Sequence, residues 1–227
     1  MSEQPVLSVE GLAKDYGDGF GLNRLDLSID RGELVLLVGH NGSGKSTLLG
    51  LVSGFLEPTE GSVSILGSPA DSVEARTARS YVPDEPILYS DLTMLEHIAY
   101  NAALHGTPDW EGAAEDLLVT FQLMDRTDDL PARFSRGMRQ KAATIVGLVR
   151  PFDLLLMDEP FLGLDVAGQD ALVTILGDLA GAGRSVVVST HQPNLTAVAT
   201  RCVGLRDGDM VYDGDPDPDV IGRIIHG

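Results

Sequence analysis

The pattern of apolar and polar residues predicts a chain in which strands alternate with helices. Strands of the kind buried on both faces are predicted at residues 34–38, 152–157 and 184–189, each of which contains at least three consecutive apolar residues. Alternating or short apolar runs predict further strands at residues 6–10, 25–29, 62–66, 79–82, 203–205 and 210–212. The last two enclose a turn with Asp207 and Gly208, so we expect them to pair as a hairpin. Helices are predicted after the first apolar run and at residues 69–79 and 166–179, which together indicate an α/β fold.

A block of helical patterns interrupts this alternation. Thr93 with Glu96 three residues later is a capping box, and it predicts a helix that ends near Leu104. Residues 111–123 and 135–149 predict two further helices. Because the strands resume beyond residue 150, we expect residues 84–150 to be an inserted helical subdomain. Residues 1–83 and 151–227 would then form the catalytic core and β subdomain of a single domain, 1–227.

Charge and cysteine content narrow the classes of function. The sequence carries a net charge of −18, which repels a phosphate backbone, so we expect no nucleic-acid partner. Cys202 is the one cysteine, which rules out an internal disulfide, and its apolar surroundings predict a core position. No apolar run approaches the roughly 18 residues that a bilayer span requires. These features favour a cytoplasmic protein.

The strongest chemical signal follows the first apolar run. It matches the phosphate-loop pattern G-x-x-x-x-G-K-[ST] over Gly39, His40, Asn41, Gly42, Ser43, Gly44, Lys45, Ser46 and Thr47. Glycines let backbone N–H groups point at phosphates, and the helix that follows adds its positive N-terminal end. Lys45 is expected to reach the β- and γ-phosphates, and the Ser46 hydroxyl to ligate Mg²⁺. The alternative, a glycine-rich turn with a surface lysine, is disfavoured because a strand and a helix flank the motif. The chain is therefore predicted to bind a nucleoside triphosphate.

Two carboxylates follow the second apolar run. Ligands of parallel sheets bind at the carboxyl ends of strands, and Asp158 and Glu159 are predicted to lie at such an end. Asp158 is placed to hold Mg²⁺, and Glu159 to take a proton from the attacking water. Two acids at a strand end are often only a solvated loop, but the phosphate loop upstream favours the functional interpretation.

Ser135 and Gly137 lie where the third helix of the inserted block begins. The Ser135 side chain and the Gly137 N–H are predicted to form an anion site there, with an ordinary helix cap as the alternative. Tyr16, in a turn-rich segment, could offer its ring to a purine or simply pack against the protein.

Together these motifs resemble the nucleotide-binding subunit of ATP-binding-cassette (ABC) transporters over nearly the whole chain. The family signature L-S-x-G-x-x-Q is matched at Ser135, Gly137 and Gln140, with Phe134 and Arg136 in its variable places. The resemblance implies that Ser135, Arg136, Gly137 and Met138 contact nucleotide. The resemblance implies that Tyr16 stacks on adenine and that Asp165 belongs to a loop coupling two sites. It also implies that His191 contacts the γ-phosphate, so Glu159, His191 and Lys45 are the expected catalytic residues.

One position departs from the family pattern. Asp84 stands where the family usually has a glutamine. The glutamine oxygen can accept a hydrogen bond from water or coordinate Mg²⁺, and its NH₂ group can also donate, whereas an ionised aspartate only accepts. Asp84 is therefore retained as a metal-ligand candidate with an extra negative charge. The sequence segments around Asp84 and Ser135 are similar to those of ATPase subunits of the ABC-2 type exporters.

The resemblance implies a P-loop NTPase core of the RecA-like type, with an antiparallel β subdomain and the helical insert. It implies ATP and Mg²⁺ as cofactors, and a second nucleotide-binding subunit packed head to tail. It also implies an integral membrane permease subunit that holds the chain at the cytoplasmic face. A soluble ABC-type ATPase would need a coiled-coil insert or a second cassette, and a hydrolysis-impaired half would usually lack Glu159 or His191.

Overall fold

The computed structural model describes residues 4–17, 20–191 and 195–226. Within this part, contacts divide the chain into two compact units. The first comprises residues up to 81, residues 152–159 and residues from 176 onward. The second comprises residues 82–151 and 160–175. The helical block indicated by the sequence therefore lies in the second unit, together with the segment that follows Glu159.

Strands and α-helices alternate along much of the chain. The strands are β1 (Leu7–Gly17), β2 (Phe20–Ile29), β3 (Leu34–Val38), β4 (Glu60–Ile65), β5 (Ser68–Pro69), β6 (Arg79–Val82), β7 (Leu154–Asp158), β8 (Ser185–Ser189), β9 (Arg201–Arg206) and β10 (Asp209–Gly214). The α-helices are α1 (Lys45–Val52), α2 (Val73–Ala78), α3 (Met94–Leu104), α4 (Trp110–Thr120), α5 (Arg136–Leu148), α6 (Val166–Gly181) and α7 (Pro218–His226). In the described ranges, none of these helices combines the length and apolar character needed to span a bilayer.

The strands form two sheets. In the larger sheet the order is β10-β9-β3-β8-β7-β6, with parallel pairs from β9 to β7 and an antiparallel β10 at the edge. In the smaller sheet the order is β2-β1-β4-β5, and its pairs are antiparallel. A largely parallel sheet beside an antiparallel one, with an added helical unit, confirms the predicted fold class.

The apolar core of the first unit fixes the elements that flank the phosphate loop. Every residue of β3, β7 and β8 is buried, as the continuous apolar runs predict. Leu37 and Leu156 of the larger sheet, Leu7 and Ile29 of the smaller sheet and Leu49 of α1 belong to one cluster. Each fully buried side chain of this kind contributes about 1.5–3 kcal/mol, so β3 and α1 are firmly anchored around the loop between them.

The second unit is built around α3, α4 and α5, which contact one another. The predicted capping box is present: the Glu96 N–H donates to Thr93 Oγ1 at 3.3 Å, and the Thr93 N–H donates to Glu96 Oε2 at 2.7 Å. Asn101 Nδ2 donates to the carbonyl of Val146 at 2.6 Å, which joins α3 to α5. Helix α5 begins at Arg136 and ends at Leu148, within one residue of the predicted bounds.

The structure corrects two predicted elements and adds a helix. Strand β1 does not stop near residue 10 but continues to Gly17, because it pairs with β2 as far as Phe20, so Tyr16 lies in a strand rather than a loop. Helix α2 begins only at Val73, since residues 68–69 pair with β4 instead. Helix α7 was not predicted; Ile221 and Ile224, three residues apart and both buried, were its signal in the sequence.

Candidate active site

The phosphate-loop motif occupies the connection between β3 and α1. Gly42 and Gly44 have φ angles of 84° and 106°, a region that favours glycine. A Cβ added at Gly39 would lie 2.3 Å from the carbonyl oxygen of Leu205 and 2.3 Å from Ser43 Oγ. The loop thus depends on glycine for its backbone angles and for its close packing against β9.

Helix α1 begins at this loop with its N-terminal charge uncompensated. Gly44 at the N-cap offers no side chain, and no acidic residue lies in the first turn. Ser46 is exposed and Thr47 is half-buried in that turn. Backbone N–H groups and the positive end of the helix dipole therefore remain available to an anion.

Lys45 is buried beneath the loop, with 7% of its surface exposed. Its Nζ donates to the carbonyl of Gly39 at 2.8 Å and to the carbonyl of His40 at 3.3 Å. The ammonium therefore lies inside the loop, where it can exchange a carbonyl for a phosphate oxygen without a large movement.

The turn between β9 and β10 makes polar contacts with the phosphate loop. The Gly208 N–H donates to the carbonyl of Ser43 at 3.2 Å, and His40 Nε2 lies 3.2 Å from Asp207 Oδ1. His40 Nδ1 lies 2.8 Å from the carbonyl of Asn41. The His40 side chain thus contacts the hairpin, and what this residue offers a ligand is its backbone. Sequence reasoning missed this support, since no local pattern links residues 40 and 207.

Asp158 and Glu159 lie at the carboxyl end of β7, as predicted. Asp158 is 3% exposed and accepts a short hydrogen bond from Ser189 Oγ on the neighbouring β8. The Glu159 N–H donates to Ser189 Oγ at 2.9 Å and to the Ser189 carbonyl at 3.1 Å. Glu159 has a φ of 46°, an uncommon conformation for a residue with a side chain and one that clusters at functional sites. Sequence reasoning did not identify Ser189 as the hydrogen-bond partner of both the Asp158 carboxylate and the Glu159 backbone N–H.

The Glu159 carboxylate lies between two other predicted catalytic residues. Its Oε1 is 3.9 Å from Lys45 Nζ, and its Oε2 is 3.0 Å from His191 Nδ1. The Glu159 side chain is 13% exposed and that of His191 is 44% exposed. A carboxylate held between an ammonium and an imidazole, and still open to solvent, can accept a proton from a water molecule.

Tyr16 lies near the end of β1 with 56% of its surface exposed. Lys14 Nζ lies 5.5 Å from the centre of the Tyr16 ring and donates to the carbonyl of Glu57 at 2.7 Å. The ring is therefore accessible for stacking, and a neighbouring cation holds one side of it.

The remaining candidates lie in the second unit. Ser135 is the N-cap of α5, and its Oγ accepts from the Met138 N–H at 3.2 Å; Arg136 beside it is exposed. Asp165 Oδ1 accepts from the Gly168 N–H at 3.0 Å and so caps α6. Asp84, at the start of this unit, is half-buried.

Comparisons with known proteins identify a matching family and several relatives. The protein family described as ABC transporter matches residues 22–162. The chain is 33% identical to the SkfA peptide export ATP-binding protein SkfE of Bacillus subtilis, over 92% of this chain and 88% of that protein. It is 34% identical to a putative ABC transporter ATP-binding protein of Halobacterium salinarum, over 96% and 97% of the two chains.

Two solved structures extend the similarity to the fold. The chain superposes on an ATP-binding subunit of an ABC transporter with a TM-score of 0.87 and 34% identity, covering 96% of this chain and 92% of that one. It superposes on a dimeric, post-hydrolysis ATP-binding cassette bound to ADP and Pi with a TM-score of 0.83 and 26% identity, covering 93% and 99%.

Proposed function

This chain belongs to the family of ABC transporter ATP-binding proteins, and from that premise we propose how its ATPase site works and what it drives. The chain is an ATP-binding and ATP-hydrolysing subunit of this family. The observation that carries the proposed mechanism is the position of the Glu159 carboxylate between Lys45 and His191.

Glu159 acts as the general base in this proposal. It takes a proton from a water molecule whose oxygen attacks the γ-phosphorus, and the bond to the bridging oxygen of ADP breaks. Lys45 neutralises charge that develops on the phosphate oxygens. A carboxylate only accepts, so His191 Nδ1–H is the donor in the contact with Glu159. Phosphate oxygens also only accept, so Nε2 donates to the γ-phosphate when His191 is the imidazolium, which carries a proton on both nitrogens.

Asp158 and Ser46 are the proposed ligands of Mg²⁺, directly or through water. A buried carboxylate and a hydroxyl are hard oxygen donors, and Mg²⁺ is usually held by few such groups together with water and phosphates. In the described ranges, no group of three His, Cys, Asp or Glu side chains could enclose a metal by itself. The ion would neutralise phosphate charge. The metal role of Asp84, which lies in the second unit, stays a prediction from the family resemblance.

Two copies of the chain would share each ATP. Helix α5 begins at Ser135 with no acidic residue in its first turn and with Arg136 exposed, so it can receive the γ-phosphate of the partner's ATP. A related cassette has been solved as a dimer bound to ADP and Pi. Tyr16, with its ring exposed, would stack on the adenine.

The pair would power export through a separate membrane subunit at the cytoplasmic face. Support comes from similarity to relatives whose names describe export, such as the peptide export protein SkfE and a macrolide export protein of Paracoccus denitrificans. ATP binding would close the pair, and hydrolysis would release it by removing the phosphate that bridges the two chains.

A single substitution tests the shared site. Glu159→Gln keeps shape and hydrogen bonding but cannot take the proton, so hydrolysis should slow by about 10²–10⁴-fold while ATP still binds. Light scattering should then show a dimer with ATP and Mg²⁺ and a monomer with ADP. Glu115→Gln, the same change on an exposed face of α4, is the matched control and should behave as the wild type. A Glu159→Gln variant that stays monomeric with ATP would remove the shared-site mechanism.

A further inference from the structure

Helix α5 carries a buried cation, Lys141, in its second turn. Lys141 is 8% exposed, and its Nζ lies 3.0 Å from Oδ1 and 3.2 Å from Oδ2 of Asp165. Lysine is almost never fully buried unless it is paired. The ammonium of Lys141 thus contacts both oxygens of the residue that stands at the start of α6.

The Asp165 carboxylate is held from a second side. Its Oδ1 also accepts from the Gly168 N–H at 3.0 Å. A Cβ added at Gly168 would lie 2.8 Å from Asp165 Oδ1 and 3.1 Å from Lys141 Cε, so the glycine leaves room for both. Hydrogen bonds from Lys141 and Gly168 lower the pKa of Asp165 and keep it ionised. Two donors and a fitted space therefore fix one orientation of this carboxylate.

A second contact lies one helical turn earlier on α5. A Cβ added at Gly137 would lie 2.3 Å from the carbonyl oxygen of Gly163, so the two backbones touch. Residues 137 and 141 are four apart and share one face of the helix. That face meets the segment 163–165 at two points, by backbone contact and by the ion pair.

We propose that Lys141 is a positioning residue for the dimer: it fixes Asp165, and with it the segment 163–165, relative to the start of α5 at Ser135. The proposal rests on the proposed shared ATP site, in which the start of α5 faces the partner chain, and on the family resemblance, which assigns Asp165 to a loop that couples the two sites. Asp165 is 58% exposed, and pairs with a solvated member contribute little to stability, so the effect of Lys141 should appear in dimer formation rather than in unfolding.

The test uses the full-length Glu159→Gln variant, whose ATP-bound dimer is measured by light scattering. Adding Lys141→Met keeps most of the side-chain volume, removes the charge and leaves a solvated carboxylate. ATP affinity of the monomer should not change, whereas the dimer should dissociate at least about tenfold more readily. Lys141→Arg should restore dimer formation. Gly168→Ala, which retains both charges but crowds the Asp165 carboxylate and the Lys141 stem, should weaken the dimer in the same direction.

A double-mutant cycle separates positioning from general structural support. With Asp165→Asn already present, Lys141→Met should have little further effect on the dimer, because the pair is already broken. Full dimer formation by Lys141→Met would overturn the proposal, as would an undiminished effect of Lys141→Met beside Asp165→Asn. If Glu159→Gln itself does not dimerise with ATP, the shared-site mechanism fails first and this inference fails with it. If Lys141→Met does not fold, Gly168→Ala replaces it in the light-scattering test. Undiminished dimer formation by Gly168→Ala would then overturn the proposal.

Discussion

Nδ1 of His191 lies 3.0 Å from Oε2 of Glu159. The two residues come from different strand ends, since Glu159 directly follows β7 and His191 lies just beyond the end of β8. These strands pair in parallel with Asp158 opposite Ser189, which brings the two side chains to the same edge of the sheet. The general base and the phosphate-contacting histidine are thus one hydrogen-bonded unit in the proposed mechanism.

Loss of the histidine should affect chemistry more than binding. His191→Ala removes the proposed donor to the γ-phosphate and a hydrogen-bond partner of Glu159. Loss of one such donor typically costs about 10²–10³-fold in kcat, so hydrolysis should fall by that order while ATP binding changes little. Phosphate release at saturating ATP and equilibrium nucleotide binding measure the two quantities. An unchanged turnover would exclude His191 from the chemical step.

Lys45 should be needed for turnover and not for folding. Lys45→Met retains the apolar stem in its buried position and removes the ammonium that donates to Gly39 and His40. ATPase activity should be abolished, with a folded protein by circular dichroism. Activity that falls only in proportion to the folded fraction would contradict the assigned role.

Tyr16 should contribute to affinity through its ring. Stacking of a base on an aromatic side chain contributes about 1–3 kcal/mol in single-stranded nucleic-acid binding, so Tyr16→Ala should weaken ATP binding by about 5- to 150-fold. Tyr16→Phe is the control, because it keeps the ring and loses only the hydroxyl, and should bind nearly as the wild type. Equal ATP affinity of Tyr16→Ala and wild type would refute stacking.

Two glycine substitutions should have opposite effects on stability. Gly39→Ala places a Cβ 2.3 Å from the Leu205 carbonyl, and such overpacking costs about 1–3 kcal/mol of unfolding free energy. Gly112, inside α4, has no heavy atom within 4 Å of an added Cβ, so Gly112→Ala should gain up to about 1 kcal/mol from helix propensity. Urea unfolding measures both. Similar stabilities for the two variants would argue against the close packing of the loop.

Cys202 should be unreactive in the folded protein. Burial raises the pKa of its thiol to about 12, so the thiolate that reacts with thiol reagents is scarce at pH 8. The thiol of the unfolded chain has an ordinary pKa of about 8.5. The raised pKa in the folded protein therefore contributes stability that is fully present below about pH 8.5 and declines as the pH rises toward the folded pKa. Thiol-reagent kinetics at pH 8, with and without urea, check this. Rapid native labelling would contradict the core position.

Short-range features of the sequence determined much of this molecule. The continuous apolar runs predicted β3, β7 and β8, and a threonine three residues before a glutamate predicted the start of α3. The order of the motifs was enough to identify the family. These signals depend on neighbours within a few residues, such as a cap, a glycine with a positive φ or a buried strand. The roles assigned to individual site residues stay predictions until variants are measured.

Only the tertiary structure decided which distant residues meet. The length of β1 to Gly17 depends on its pairing with β2. Ser189 Oγ donates to Asp158 and accepts from the Glu159 N–H only because β7 lies beside β8. The contact between Lys141 and Asp165 joins residues 24 positions apart. The sequence determines the local elements because their interactions are local. Strand order and helix packing set these long-range contacts, since they depend on how the whole chain buries its apolar surface.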